Sequence, residues 1–138
     1  MKTQWKTASV QETEMVGVEL AKELKSGQVV ALFGGMGMGK TAFVRGVARG
    51  MQLEAEVSSP TFAIVHDYGG TPPLVHFDMY RVSGWEDLLT TGYYEYLDMG
   101  AILIVEWSEN IEAALPDDAI RLRITAPDET TRVIERIS

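Results

Sequence analysis

The residues with the clearest chemical content are the eight that read Gly34-Gly35-Met36-Gly37-Met38-Gly39-Lys40-Thr41. They fit G-x-x-x-x-G-K-[ST], the phosphate-binding P-loop or Walker A pattern. Each residue type has a physical reason to be there. Glycines let the backbone wind tightly and turn its N–H groups inward, as a nest for phosphate oxygens. A helix beginning at Lys40 would aim its positive end at the same anion. The Lys40 ammonium would add a mobile charge between the outer phosphates, and the Thr41 hydroxyl would be offered to Mg2+. The context suits this better than a bare glycine turn, because the match lies between an apolar strand-like run and a helix-like segment.

Such a site needs an acid near the cation or the attacking water, and in α/β sheets acids of this kind sit at strand ends. Two candidates fit. Glu106 ends the apolar run Ala101-Ile102-Leu103-Ile104-Val105, and Asp78 ends Leu74-Val75-His76-Phe77. The competing readings are a surface acid at a strand end for Glu106 and a turn or helix-cap aspartate for Asp78. Thr61, after Ser58-Ser59-Pro60, is a candidate switch residue that would sense the γ-phosphate, or else a threonine that starts a strand. Arg81 would stabilise transition-state charge or pair with Glu86 or Asp87. His66 and His76 are not spaced as a metal pair, and core or hydrogen-bonding roles suit them better. Trp107 suits core packing better than stacking on a nucleotide. Tyr93-Tyr94-Glu95-Tyr96 reads as a packed helix face, with an interface as the alternative.

The elements that must hold these residues can be read from periodicity and punctuation. Residues 3–8 suggest a short edge strand. Ser9 with Glu12 three residues on has capping-box spacing, and the helical apolar pattern then continues to Leu24. Residues 28–33 and 101–107 are apolar runs of the type buried inside a parallel sheet. A helix is expected over residues 40–51. Residues 61–68 and 74–80 read as strands joined by a Gly- and Pro-rich turn, an antiparallel hairpin. Residues 84–91, 93–98 and 109–115 read as short helices, and 119–125 and 132–137 as strands. These features predict a single three-layer α/β P-loop NTPase domain over residues 1–138, with a mixed, partly antiparallel central sheet.

Composition bounds the function. The chain has 138 residues, ordinary for one domain, and no cysteine, which removes disulfides, thiolate metal sites and cysteine nucleophiles. Its net charge of -8 disfavours unaided nucleic-acid binding, which needs a basic face. No apolar run reaches the roughly 18 residues of a membrane span, and the first residues lack a signal-peptide pattern. A cytoplasmic protein with no membrane contact is the expectation.

Four stretches together resemble the TsaE family of small P-loop ATPases. They are Gly34 to Thr41 followed by Ala42-Phe43-Val44-Arg45-Gly46, then Ser59-Pro60-Thr61-Phe62, then His76-Phe77-Asp78-Met79-Tyr80-Arg81, and Ile104-Val105-Glu106-Trp107-Ser108-Glu109. The resemblance implies an ATPase that supports formation of threonylcarbamoyladenosine in tRNA together with a TsaD–TsaB heterodimer, with ATP and Mg2+ bound and tRNA met only through the complex. It implies ATPase activity that is weak in isolation. It puts Lys40 on the phosphates, Thr41 and Glu106 around Mg2+, Asp78 in hydrolysis and Thr61 in a switch-like segment. It also brings Thr13 and Arg132 beside the nucleotide. Gly35 departs from the family's usual acid, and Met36 and Met38 from its Leu and Ala, while the residues that handle phosphate are kept.

Three other readings compete. A small-molecule kinase would need a lid and an acceptor-binding segment for which little length remains. A GTPase is suggested only by Asp67-Tyr68-Gly69-Gly70 as D-x-x-G, without an N-K-x-D motif. A nucleotide-gated binding module would use the same loop with negligible turnover.

Overall fold

A computed structural model describes residues 3–34, 39–53 and 65–137. The expected loop over residues 54–60, the first part of the strand expected from Thr61, and the P-loop residues Gly35, Met36, Gly37 and Met38 lie outside the described residues.

In chain order the elements are β1 (Gln4–Thr7), α1 (Val10–Ala21), β2 (Val29–Phe33), α2 (Lys40–Gly50), β3 (Val65–Gly70), β4 (Pro73–Asp78), α3 (Trp85–Leu89), α4 (Tyr93–Asp98), β5 (Ile102–Glu106), β6 (Ile120–Thr125) and β7 (Arg132–Arg136). A 3-10 segment, Ser108–Ala114, joins β5 to β6. The strands form one sheet in the order β1-β7-β6-β2-β5-β4-β3. Its centre, β6-β2-β5-β4, is parallel. Its flanks are antiparallel, β1 on β7 on β6 at one side and β3 on β4 at the other. The mixed sheet expected from the hairpin signal is the one observed.

β2 and β5 are central because every one of their residues is buried, which an apolar run tolerates and an alternating one does not. Successive side chains divide between two cores. Val30, Leu32, Ile102 and Ile104 face α1 and α2, with Val16, Leu20, Phe43 and Val47. Val29, Ala31, Leu103 and Val105 face Leu88, Tyr93, Ile111 and Leu115 on the opposite side. Three layers result.

α1 starts where Ser9 Oγ accepts the Glu12 amide at 3.1 Å. The Glu12 carboxylate reaches back to the Ala8 amide at 3.0 Å, one residue earlier than in a standard capping box. The helix is shorter than its apolar pattern. After Ala21 the amides of Lys22, Glu23 and Leu24 bond to carbonyls three residues back, so the chain tightens out of the α form. α1 lies almost backbone-to-backbone on α2, since a methyl on Gly46 would stand 1.9 Å from the Glu14 carbonyl oxygen.

Three expected boundaries need correction. The hairpin strands run into the expected turn, leaving only Thr71 and Pro72 between them. β4 stops at Asp78, where the Met79 amide turns to the Glu106 carbonyl at 3.0 Å. The expected helix after Trp107 is a 3-10 segment broken at Ile111, whose φ of -131° is not helical.

Candidate functional site

Because β2, β5 and β4 are parallel, their carboxyl ends share one edge of the sheet, with Leu32 opposite Glu106 and Asp78 opposite Glu106. The glycine-rich loop leaves β2 there, and α2 begins there at Lys40. Both described ends of the loop demand glycine. Gly34 has φ of +131° and Gly39 φ of +89°, and a methyl on Gly34 would also stand 2.5 Å from the Ile124 carbonyl oxygen.

Lys40 is only 4% exposed. Its Nζ donates to the Gly34 carbonyl at 2.9 Å and stands 3.7 Å from Glu106 Oε1. It also lies 5.0 Å from the centroid of the Trp107 ring, within reach of its π face. Trp107, half-buried, adopts left-handed backbone angles (φ 58°, ψ 42°) directly after Glu106. Its ring meets Tyr80 with centroids 4.9 Å apart. The Trp107 expectation of core packing is therefore incomplete, because part of its ring floors the lysine. Such a backbone conformation is uncommon for a bulky residue and persists only where its surroundings fix it. Here Ser108 Oγ donates to the Val105 carbonyl at 2.8 Å, and Asn110 Nδ2 donates to the Met79 carbonyl at 2.8 Å, tying the ends of β4 and β5 together.

Glu106 is buried, and its second oxygen, Oε2, lies 2.5 Å from His76 Nε2. His76 is fully buried. Its Nδ1 faces the Tyr68 hydroxyl at 3.5 Å, and that hydroxyl is 3.2 Å from His66 Nδ1. The hydrogen-bonding reading of both histidines agrees with this chain of contacts. What sequence reasoning missed is that it ends on Glu106. The available signal was the even spacing of His66, Tyr68 and His76 across a hairpin, which puts them on one face.

Asp78, half-buried, accepts the Tyr80 amide at 3.0 Å, closing the turn after β4. Thr41 is half-buried in the first turn of α2. Arg132 opens β7 beside the loop, its Cγ and Nε both 3.7 Å from where a Gly39 Cβ would be. Its guanidinium donates to the Asp128, Glu129 and Thr131 carbonyls. Thr13 is buried on α1 and shares a 2.8 Å hydrogen bond with the Thr7 hydroxyl, joining α1 to β1. Thr61 lies outside the described residues. Arg81 is exposed and forms no ion pair among the described residues. Asp87 instead accepts from the Ser83 hydroxyl at 2.9 Å and its amide at 3.2 Å, which holds its carboxyl below the usual aspartate range.

A glycine-flanked loop between a central strand and a helix, with the helix's first lysine beside an acid at the next strand's end, defines the P-loop class of α/β proteins. Within that class the relationship is narrower. The family model for "Threonylcarbamoyl adenosine biosynthesis protein TsaE" matches residues 7–134. The chain belongs to the TsaE family. It is 32% identical over 126 residues to the tRNA threonylcarbamoyladenosine biosynthesis protein TsaE of Treponema pallidum, covering 91% of this chain and 93% of that protein. It is 35% identical over 131 residues to the Bacillus subtilis protein of the same name (94% and 82% covered). With the Streptomyces coelicolor protein of that name it shares 41% identity over 112 residues (79% and 76% covered). The crystal structure of Bacillus subtilis YdiB superposes with a TM-score of 0.77 at 32% identity, covering 95% of this chain and 81% of that one. Among the described residues no helix is long and apolar enough to cross a membrane.

Proposed function

We propose that this chain binds ATP with Mg2+ at the loop of residues 34–41 and hydrolyses it, driving or resetting a TsaD–TsaB complex that makes threonylcarbamoyladenosine in tRNA in the cytoplasm. The observation that carries this reading is the meeting of Lys40, the Gly34 carbonyl and Glu106 at the carboxyl edge of the sheet.

The donor set suits the cation. Glu106 and Thr41 offer a carboxylate and a hydroxyl, the hard oxygens Mg2+ takes. Among the described residues no three His, Cys, Asp or Glu side chains form a metal cage. Mg2+ commonly keeps water and substrate phosphate oxygens in its shell, so one or two protein oxygens suffice. When bound, the ion would neutralise charge on the outer phosphates.

The chain's own groups do the rest. Amides of Gly34, Gly35, Met36, Gly37, Met38 and Gly39 bind phosphate oxygens, and Lys40 supplies positive charge from a side chain that is almost fully buried. A preorganised, water-poor charge stabilises developing phosphate charge more than a solvated one. Asp78 orients the attacking water, and Thr61 responds to the γ-phosphate. Arg132 flanks the loop from β7. The acidic surface suits a subunit that meets tRNA through its partners.

Reconstitution tests the reading. With TsaD, TsaB, tRNA and ATP, the parent should raise threonylcarbamoyladenosine content over repeated turnovers and Lys40→Ala should not. Equal yields with the two proteins would refute it.

A further inference from the structure

We infer that His76 is a positioning residue for Glu106, holding the carboxylate so that a single oxygen, Oε1, faces Lys40; the inference rests on the metal-binding role proposed above for Glu106. His76 has no exposed surface, and a buried imidazole is costly unless its nitrogens are bonded. Both ring nitrogens have partners within the protein, Nε2 at Glu106 Oε2 (2.5 Å) and Nδ1 at the Tyr68 hydroxyl (3.5 Å). Neither nitrogen is left to ligate a metal or touch a substrate, so the ring acts through Glu106.

The hydrogen-bond directions agree along the whole chain. A carboxylate oxygen accepts, so His76 donates through Nε2. In the neutral imidazole Nδ1 is then the acceptor, which suits the Tyr68 O–H, and the Tyr68 oxygen can accept from the Nδ1–H tautomer of His66. The terminal torsion of a glutamate is broad, so the backbone alone does not orient its carboxyl plane. His76 removes that freedom from the next strand, where its Cα pairs with Ile104 two residues before Glu106. The oxygen left over, Oε1, is the one 3.7 Å from Lys40 Nζ. Outer-shell partners of this kind orient first-shell ligands.

The probe is Mn2+, followed by electron paramagnetic resonance with the full-length chain and ADP. ADP affinity in EDTA is measured alongside. His76→Leu should weaken Mn2+ binding by about 10- to 100-fold, with metal-free ADP affinity unchanged. His76→Gln, whose amide nitrogen can replace Nε2, should recover most of the loss. Parent-like Mn2+ affinity in His76→Leu would overturn the inference, as would a Gln variant no better than Leu. If His76→Leu does not fold, Tyr68→Phe decides. A smaller loosening supports the chain of bonds, and parent affinity overturns it. Failure of the parent itself to take up Mn2+ with ADP would refute the proposed site, a result distinct from a tight parent with an indifferent His76→Leu.

Discussion

Lys40 and Glu106 are both almost fully buried, and the ammonium of one stands 3.7 Å from the carboxylate of the other. Neither depends on the other alone. Lys40 also bonds the Gly34 carbonyl and overlies Trp107, and Glu106 is held by His76. Removing one partner of a buried pair leaves an uncompensated charge, so such pairs respond strongly to single changes. The two side chains arrive from different elements, at the start of α2 and the end of β5, and the parallel pairing of β2 with β5 brings them together.

Glu106→Gln should separate binding from turnover. The amide keeps the shape of the side chain and its link to His76 but loses the charge that would hold a cation. ATP affinity without metal should not fall below the parent's, because the phosphates then meet a Lys40 that no carboxylate offsets, while phosphate release falls by about 100-fold, the scale seen when one electrostatic stabiliser is removed. A parent-like rate of phosphate release would show that Glu106 has no part in hydrolysis.

Gly46→Ala should destabilise the fold without touching the loop. Its methyl would collide with the Glu14 carbonyl oxygen at 1.9 Å, and both atoms belong to helices that cannot part freely. Overpacking of this kind costs about 2–3 kcal/mol, a fall in melting temperature on the order of 10 °C. Gly84→Ala, where a methyl would meet no atom of the described residues within 4 Å, should change melting little. Similar melting curves for the two variants would contradict the close α1–α2 contact.

Asp128 closes the turn that carries Arg132 to the loop. Its carboxylate accepts the Thr131 amide at 2.8 Å and the Thr130 amide at 3.0 Å. The Thr131 bonds foremost hold its pKa below the ordinary aspartate value. A lowered folded-state pKa means that the folded protein binds fewer protons than the unfolded chain. The stabilisation is therefore present above about pH 4 and lost as pH falls through the lower folded value. Asp128→Ala should melt below the parent at neutral pH, and the gap should close in acid. A gap that is constant or widens in acid would contradict this account of the turn.

Much of this architecture was legible because it is written locally. Residues 29–33 and 101–105 are unbroken apolar runs, and the central strands built on them, β2 and β5, are buried at every residue. Ser9 announced its helix, and the loop's glycines and Lys40 announced a phosphate-type turn. What stayed hidden is non-local. Nothing in residues 3–8 says that the strand would pair with β7 from the far end of the chain. Gly46 carries no sign of Glu14, because close helix contact depends on how two helices cross. The His76–Glu106 bond required the β4–β5 register, and a hydropathy pattern does not encode register between separate strands. The left-handed Trp107 is opposite to its residue preference, so only its neighbours explain it. Of the pairings weighed for Arg81, with Glu86 or Asp87, the one with Asp87 lost to a donor nearer in the chain, Ser83, which costs less side-chain entropy to hold.

The most direct test of the central claim is calorimetric titration of the full-length chain with a nonhydrolysable ATP analogue and Mg2+, beside Lys40→Ala. The account predicts saturable binding at one site in the parent, weakened when Mg2+ is withheld, and loss of measurable binding in Lys40→Ala. No binding by the parent, or equal binding by both proteins, would contradict it.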